Sequence, residues 1–180
     1  RYFCLSRGLG DVYKRQIKRV FVERGVPFIS GVDVYQVRPP FRTRLMTLEA
    51  ERANALVTAG QIVVQRSGQR YGLLGRPALI GRRLDGYAAS DHLMRISPVS
   101  PEARARIFAF LRSELGRRSL LRTSYGTSIP TLNPDGLADQ RVPALPLELV
   151  SAAERALQLR EQADADEEQA IRKVEAWLDS

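Results

Sequence analysis

Short apolar runs alternate with turn residues through the first part of the chain, from about position 17 to position 98. The runs are rich in Val, Ile, Phe and Tyr, and segments containing Gly, Pro, Ser or Asp separate them. Runs of this length and composition between turn residues are typical of β-strands. The pattern therefore predicts strands within KRVFVERG, VPFISGVDVYQV, QIVVQRSGQRYG, LLGRPALIG and HLMRIS.

Two segments instead show the apolar spacing of a helix. The first covers residues 47–59 and stops at Gly60, since glycine favours helix ends. The second begins at Ser100, a good N-cap residue, and continues with Pro101 and Glu102, which suit the first turn of a helix. Its apolar side chains are Ile107, Phe108, Phe110, Leu111 and Leu115, and its predicted end is Gly116.

The remainder of the chain divides into an irregular stretch and a long helix. Leu132 and Val142 are the predicted core anchors of the irregular stretch. Residues 147–178 contain no Gly or Pro and are dominated by helix formers, which predicts a helix of about 48 Å. The predicted class is α+β (mixed α/β): a globular domain with a mixed β-sheet and flanking helices, followed by a long coiled-coil-like helix.

The first 16 residues are set apart from this pattern. Residues 6–16, SRGLGDVYKRQ, can be back-translated into a sequence that resembles a transposon-end adapter used to prepare sequencing libraries. We interpret residues 1–16 as a non-native segment that fold reasoning should exclude, with a genuine basic arm as the alternative. The predicted domain then covers residues 17–146 and the predicted helix residues 147–180, with the native N-terminus missing.

Charge points towards nucleic acid without deciding the question. The chain has 28 Lys+Arg and 20 Asp+Glu, a net charge of +8, and 25 of its cations are Arg. Residues 1–16 hold four of the cations and one of the anions, so the rest of the chain carries +5. Guanidinium groups suit phosphates and guanine edges, although a GC-rich genome also favours Arg codons.

The sequence offers little for catalysis. Cys4, the only cysteine, lies in the excluded segment, which fits a cytoplasmic protein without disulfides. No apolar run approaches the roughly 20 residues needed to cross a bilayer. Motifs of phosphate loops, zinc proteases and serine hydrolases do not occur, and His92 has no second His or Cys with which to share a metal. We expect neither a catalytic residue nor a metal site.

Two polar loops have the composition of a nucleic-acid-binding surface. Residues 65–72 combine guanidinium, amide and phenol groups with glycines, and residues 124–128 follow a cationic stretch and carry hydroxyl groups. Such groups reach base edges and phosphates; solvated turns are the alternative. We assign base contacts to Arg66 and Arg70. The candidate DNA-binding residues are Arg66, Ser67, Gln69, Arg70, Tyr71, Arg117, Arg118, Arg122, Ser124, Tyr125, Thr127 and Ser128, with phosphate contacts expected of Arg117 and Arg118.

The order of these segments resembles the DNA specificity subunit of type I restriction and modification systems. The succession is VPFISGVDV, QIVVQRSG, GRPALIG, HLMRIS, FLRSELG, YGTSIPTL and QRVPALPLELV, followed by a helix that contains AAERALQLREQAD and IRKVEAWL. Over residues 26–178 the chain is similar to one target recognition domain and one spacer helix of that family. The full subunit has two of each, so the resemblance leaves open a half-length subunit or the C-terminal half of a longer one.

The resemblance implies a non-catalytic subunit of a bacterial defence complex. Recognition domains of that family read the two halves of a split double-stranded DNA target, and the helices hold methyltransferase and motor/nuclease subunits. S-adenosylmethionine, ATP and Mg would belong to those partners, so this chain would carry no cofactor. Two alternatives stay open: the recognition domain of a fused restriction endonuclease-methyltransferase, and a coiled-coil interaction protein with a basic domain.

Heptad spacing along the long helix predicts a seam for a second helix. An antiparallel second copy would set Val150 against Val174 and Arg160 against Asp164 of the other chain. Packing against the chain's own domain or a methyltransferase subunit is the alternative. The predicted interface comprises Val150, Ala153, Leu157, Arg160, Asp164, Ile171, Val174 and Leu178.

Overall fold

The computed structural model describes residues 2–5, 10–13, 17–36 and 43–180 and confirms the α+β class. Its strands are β1 (Tyr2–Cys4), β2 (Gly10–Tyr13), β3 (Phe21–Ile29), β4 (Arg44–Leu45), β5 (Ile62–Gln65), β6 (Pro77–Leu79), β7 (Ala88–Ala89), β8 (Leu93–Pro98), β9 (Ser124–Tyr125), β10 (Thr131–Leu132) and β11 (Arg141–Pro143). Its α-helices are α1 (Thr47–Arg52), α2 (Pro101–Arg112), α3 (Glu114–Leu121), α4 (Pro134–Ala138) and α5 (Leu147–Leu178). Short 3-10 helices cover Asp33–Tyr35 and Arg82–Leu84.

An antiparallel sheet in the order β2-β8-β5-β6 forms the centre of the domain. In β5, Ile62 and Val64 join the apolar cluster formed with α2, α3 and α5, whereas Val63 joins the cluster on the opposite face. This alternation follows the two-residue period of a strand. All three side chains are fully buried, because both faces of the sheet are covered. Leu132 and Val142 belong to the first cluster and are fully buried, as predicted.

A smaller mixed sheet, β4-β3-β7, lies beside the central one. The two strands predicted before position 38 are a single strand, β3, whose pairing with β4 shifts register between Phe21 and Val26. Gly25 lies within this irregularity, where a Cβ atom would come within 2.3 Å of the carbonyl oxygen of Leu45. The glycine therefore permits the close approach of β4, and it does not end the strand.

The first predicted helix is shorter than its apolar spacing suggested. Helix α1 ends at Arg52, and Asn54 takes a left-handed φ of 47°, a conformation that Asn tolerates better than most residues. Leu56 then pairs with Ala88 as an isolated bridge. After the turn, Ala55 is buried and Leu56 is partly buried in non-helical chain. Apolar spacing alone cannot distinguish such a segment from a helix.

Helix α2 begins as predicted and ends earlier than predicted. The hydroxyl of Ser100 accepts a hydrogen bond of 3.1 Å from the N–H of Ala103, and Pro101 occupies the first turn. Ser113 stops the helix and caps α3 by accepting from the N–H of Gly116 at 3.1 Å. Gly116 lies inside α3, where an added Cβ would meet the carbonyl oxygen of Phe110 at 2.0 Å.

Helix α5 has the predicted bounds and packs along α2. Val150 and Leu157 are 1% and 2% exposed and belong to the main apolar cluster. Farther along, Val174, Trp177 and Leu178 are exposed. No helix in the described part of the chain combines the length and apolarity needed to cross a membrane.

Described parts of residues 1–16 pack onto the domain. Strand β1 pairs with β11, and β2 adds to the edge of the central sheet beside β8. Leu5 is fully buried in the main apolar cluster, and its N–H donates to the carbonyl of Gln140 at 2.9 Å. The adapter origin of this segment stays a prediction, whereas the packed unit reaches beyond the predicted boundary at position 17.

Candidate DNA interface

Two loops that lie far apart in the sequence form one surface. The arginine loop, residues 66–76, joins β5 to β6, and the tyrosine hairpin, residues 124–132, contains β9, β10 and their turn. Backbone hydrogen bonds connect the two, from Leu132 N–H to the Arg66 carbonyl at 2.8 Å and from Gly68 N–H to the Pro130 carbonyl at 3.2 Å. The predicted binding loops are therefore neighbours held by main-chain contacts.

Two arginine side chains of the arginine loop reach across to the tyrosine hairpin. Nη2 of Arg66 donates to the phenol oxygen of Tyr125 at 3.1 Å. Nη2 of Arg70 donates to Oγ of Ser124 at the same distance. Each of these hydrogen bonds occupies one donor of a guanidinium that has five, so both arginines retain donors for another acceptor.

Hydroxyl and amide groups close the base of this surface. Oγ1 of Thr131 lies 3.2 Å from Oγ of Ser67. Nε2 of Gln65 donates to the Ser67 carbonyl at 2.8 Å, which fixes the first residues of the arginine loop. Thr131 and the exposed Ile129 are not among the predicted residues; the segment IPT between Ser128 and Leu132 was the signal that could have found them.

The far end of the arginine loop is also braced from within the domain. The Arg76 carbonyl accepts from the N–H of Gln65 at 3.1 Å and from the hydroxyl of Tyr35 at 2.5 Å. Burial raises the pKa of the Tyr35 hydroxyl well above its usual range, which favours the protonated form that donates this hydrogen bond. The loop consequently starts and ends at fixed points.

Arg117 of α3 contacts the arginine loop through its backbone. Nη2 of Arg117 donates to the carbonyl of Arg70 at 2.6 Å and lies 3.4 Å from the carbonyl of Gly72. By contrast, Arg118 projects from the exposed side of α3 and pairs with Glu114 at 2.7 Å. The two neighbouring arginines, both predicted to contact phosphates, therefore have different surroundings.

The outer rim of the surface combines exposed aromatic, apolar and polar side chains. Tyr71 is 85% exposed and Tyr125 is 53% exposed, both unusually accessible for aromatic side chains. Ile129 adds an exposed aliphatic group. The remaining predicted residues at this rim are also exposed: Gln69, Arg70, Arg122, Thr127 and Ser128. Guanidinium, amide, hydroxyl and ring groups are therefore presented together, as recognition of base edges and phosphates requires.

The predicted helix seam is wrong in its first half. Val150 and Leu157 are buried against the chain's own domain and Ala153 is partly buried there, so these side chains cannot also line a helix dimer. The physical reason is that a heptad stripe reports an apolar face and not the identity of the surface that covers it. In the second half Arg160, Val174 and Leu178 are exposed and Ile171 is partly exposed.

Asp164 faces a cleft between α5 and the 3-10 helix Arg82–Leu84. The cleft has a volume of about 480 Å³, with Arg82 and Arg83 lining it from the 3-10 helix and Glu161 and Asp164 lining it from α5. This placement puts Asp164 beside cationic groups of its own domain. The ion pair of Asp164 with Arg160 of a second chain stays a prediction.

Across the described ranges, no three His, Cys, Asp or Glu side chains are grouped closely enough to hold a metal ion. His92 is exposed, and its backbone carbonyl accepts from the N–H of Arg66 at 2.8 Å. That contact places β8 directly behind the arginine loop.

The fold resembles that of solved subunits from restriction-modification systems. The type I restriction-modification S subunit from M. genitalium is 14% identical, with a TM-score of 0.58 over 90% of this chain and 39% of that chain. The HsdS subunit from Thermoanaerobacter tengcongensis is 16% identical, with a TM-score of 0.58 over 94% of this chain and 39% of that one. A chain from a structural study of complex assembly and conformational transition in the type I R-M system is 17% identical, with a TM-score of 0.62 over 99% and 42%.

The similarity to these proteins lies in the structure. No protein-family model and no curated protein matches the chain. The chain spans about two fifths of the length of the three solved chains, and their identities to it lie below 20%. The chain therefore has the fold of the specificity (S) subunits of type I restriction-modification systems.

Proposed function

We propose that this chain is a sequence-specific DNA-binding specificity subunit of a type I restriction-modification complex. It reads one part of a split target in double-stranded DNA through the arginine loop and the tyrosine hairpin. The observation that carries the proposal is the joining of these loops by Arg66–Tyr125 and Arg70–Ser124 hydrogen bonds on a chain with the S-subunit fold. The residues at this surface are DNA contacts and perform no chemistry.

Within the surface, the proposed roles follow from exposure and free donors. Arg70 is exposed and carries a guanidinium with donors beyond its bond to Ser124, so it can form a bidentate contact with a guanine edge. Arg66 is partly buried and held by Tyr125. Tyr71 and Gln69 at the loop tip add stacking and amide contacts, and Arg118 and Arg122 contact phosphates.

Catalysis belongs, in this proposal, to partner subunits. A methyltransferase subunit would use S-adenosylmethionine, and a motor/nuclease subunit would use ATP and Mg. The exposed apolar groups Val174, Trp177 and Leu178 are the proposed contact for such a partner or for the helix of a second copy. Cytoplasmic DNA is the expected target.

Selection from a randomised pool of duplexes tests the proposal and identifies the target sequence in the same experiment. The full chain is expected to enrich a base pattern, and its affinity should fall with salt because phosphate contacts release counterions. Arg70→Ala should abolish the preference at one base pair, a discrimination of about 1–3 kcal/mol. Arg155→Ala, an exposed arginine on α5, is the matched control and should keep the pattern. Enrichment of no pattern by the full chain would contradict the proposal.

A further inference from the structure

We infer that Arg117 is a positioning residue that holds the tip of the arginine loop in its reading conformation, an inference that rests on the proposed DNA-binding function. Arg117 belongs to α3 and not to the loop. Its Nη2 atom contacts the carbonyl oxygens of Arg70 and Gly72 at 2.6 and 3.4 Å. The two carbonyls flank Tyr71, the most exposed of the large hydrophobic side chains at this surface.

The loop tip is a tight turn whose carbonyls need a donor. The N–H of Gly72 donates to the Gln69 carbonyl at 2.9 Å, which closes the turn. Closing it leaves the carbonyls of Arg70 and Gly72 without a donor from the turn itself. A planar guanidinium can serve two such carbonyls at once from one side chain, and Arg117 reaches them from the rigid frame of a helix.

This contact fixes both ends of Arg70. Its backbone carbonyl is held by Arg117 and its guanidinium by the hydroxyl of Ser124. A side chain that reads a base edge must keep its orientation to gain discrimination, because bidentate pairing depends on geometry. Arg117 therefore acts on sequence preference through Arg70, without touching a base.

Burial separates this role from that of a phosphate contact. Arg117 is partly buried, and its Nε atom is enclosed by protein with no hydrogen-bond partner among the described residues. Arg118, the next residue, is exposed on α3 and is bonded to Glu114. An exposed guanidinium can approach a phosphate, whereas one enclosed against loop carbonyls stabilises the loop.

Two binding measurements on Arg117→Ala, Arg117→Lys and Arg118→Ala test the inference. Base preferences are read from the randomised duplex pool, and the salt dependence is taken from titrations with one enriched duplex. Arg117→Ala should lose about ten-fold or more of the preference at the base pair that Arg70→Ala affects, within the range of one base contact. Its salt slope should match the unaltered chain. Arg117→Lys should show an intermediate preference, because a point charge cannot replace the fork.

Arg118→Ala should behave in the opposite way, weakening all duplexes equally and reducing the salt slope by about 0.9. If Arg117→Ala shows that phosphate signature, or if Arg117→Lys binds as the unaltered chain does, the positioning role is wrong. Failure of the proposed function looks different, since the unaltered chain would then enrich no base pattern.

Amide hydrogen exchange tests the inference without DNA. Arg117→Ala should speed exchange at the amide of Gly72, whose hydrogen bond closes the turn, while the amides of β5 and β8 remain protected. Arg118→Ala should leave the turn as protected as in the unaltered chain. Unchanged protection of the Gly72 amide in Arg117→Ala would overturn the inference. If Arg117→Ala loses protection throughout the strands, its fold is disturbed, and exchange at Gly72 in Arg117→Lys then separates the local effect from the fold defect.

Discussion

The guanidinium of Arg66 donates a hydrogen bond of 3.1 Å to the phenol oxygen of Tyr125, a residue 59 positions later in the chain. The contact joins two loops whose strands belong to different sheets. This hydrogen bond helps to fix the position of one loop relative to the other. Disturbing either partner should therefore affect both loops.

The contribution of this hydrogen bond can be measured by removing the phenol oxygen alone. Tyr125→Phe should lower the free energy of unfolding by about 0.5–1 kcal/mol, near the lower end for a hydrogen bond because the pair is exposed. Urea denaturation gives the value. In an Arg66→Ala background the same change should cost nothing more, and Tyr71→Phe is the matched control for loss of a hydroxyl. Equal costs of Tyr125→Phe in both backgrounds would show that the bond contributes nothing.

Docking of α5 on its own domain predicts a large difference between two leucines of the same helix. Leu157 is 2% exposed and Leu159 is 70% exposed. Leu157→Ala should destabilise the chain by about 2–5 kcal/mol through lost burial and a residual cavity, and Leu159→Ala by less than about 0.5 kcal/mol. Thermal or urea unfolding at several protein concentrations checks both values. A cost of Leu157→Ala that vanishes on dilution would instead favour burial between two copies.

The ion pair of Arg19 with Asp91 predicts an acid-sensitive contribution to stability. Burial opposes ionisation of the Asp91 carboxyl, but the hydrogen bond and charge of Arg19 outweigh it and hold the pKa of Asp91 below its usual value. Since the folded-state pKa is the lower one, the stabilisation is complete above the unfolded pKa of about 3.9 and disappears as pH falls through the folded pKa. Its size should stay below about 1 kcal/mol, because the Arg19 and Asp91 side chains are 40% and 24% exposed and solvent screens the pair.

Unfolding free energies between pH 2.5 and 6 check this prediction. The difference between the unaltered chain and Asp91→Asn should be constant above about pH 5 and shrink below it. Asp139→Asn, at an exposed position after α4, controls for the general loss of a negative charge. A difference that grows as the pH falls would have the wrong sign for a stabilised carboxylate.

Packing of the first residues predicts that they stabilise the chain whatever their origin. Removing residues 1–16 would uncover the site of Leu5 in the main cluster and expose the edge of β8. Residues 17–180 should therefore be less stable than the full chain, by at least the roughly 2–5 kcal/mol expected for Leu5→Ala. Denaturation of the two lengths and of Leu5→Ala measures this. Equal stability of both lengths would support the predicted boundary at position 17.

Local signals in the sequence predicted the elements that depend on local chemistry. The uninterrupted helix formers after Pro146 defined α5, and Ser100 with Pro101 defined the start of α2. Signals that another segment overrides were misleading. Gly116 was predicted to end a helix, yet it sits inside α3 because a larger residue would collide with the Phe110 carbonyl. That collision involves the path of the preceding helix, which residue spacing does not contain.

The candidate surface was predicted in parts and not as a whole. Composition identified the arginine loop and the tyrosine hairpin separately, since guanidinium and hydroxyl groups are visible in any sequence. Their contact depends on β5 and β10 being brought together by the core, through a bridge between Ser67 and Thr131. The same limit explains the helix: a spacing of seven residues places Val150 and Leu157 on one face, but only the fold shows that α2 covers it.

The two buried side chains of α5 anchor the first part of the helix in the domain, and the rest of the helix extends beyond them. Val150 and Leu157 are seven residues apart, about 10 Å along the axis, and Trp177 lies about 30 Å beyond Leu157. If the helix is rigid and Val150 stays in place, a sideways shift of about 1 Å at Leu157 becomes about 4 Å at Trp177. Repacking around Leu157 would thus change the position of the exposed C-terminal end of α5. Core substitutions can therefore affect a partner's binding at that end without altering any residue that the partner contacts.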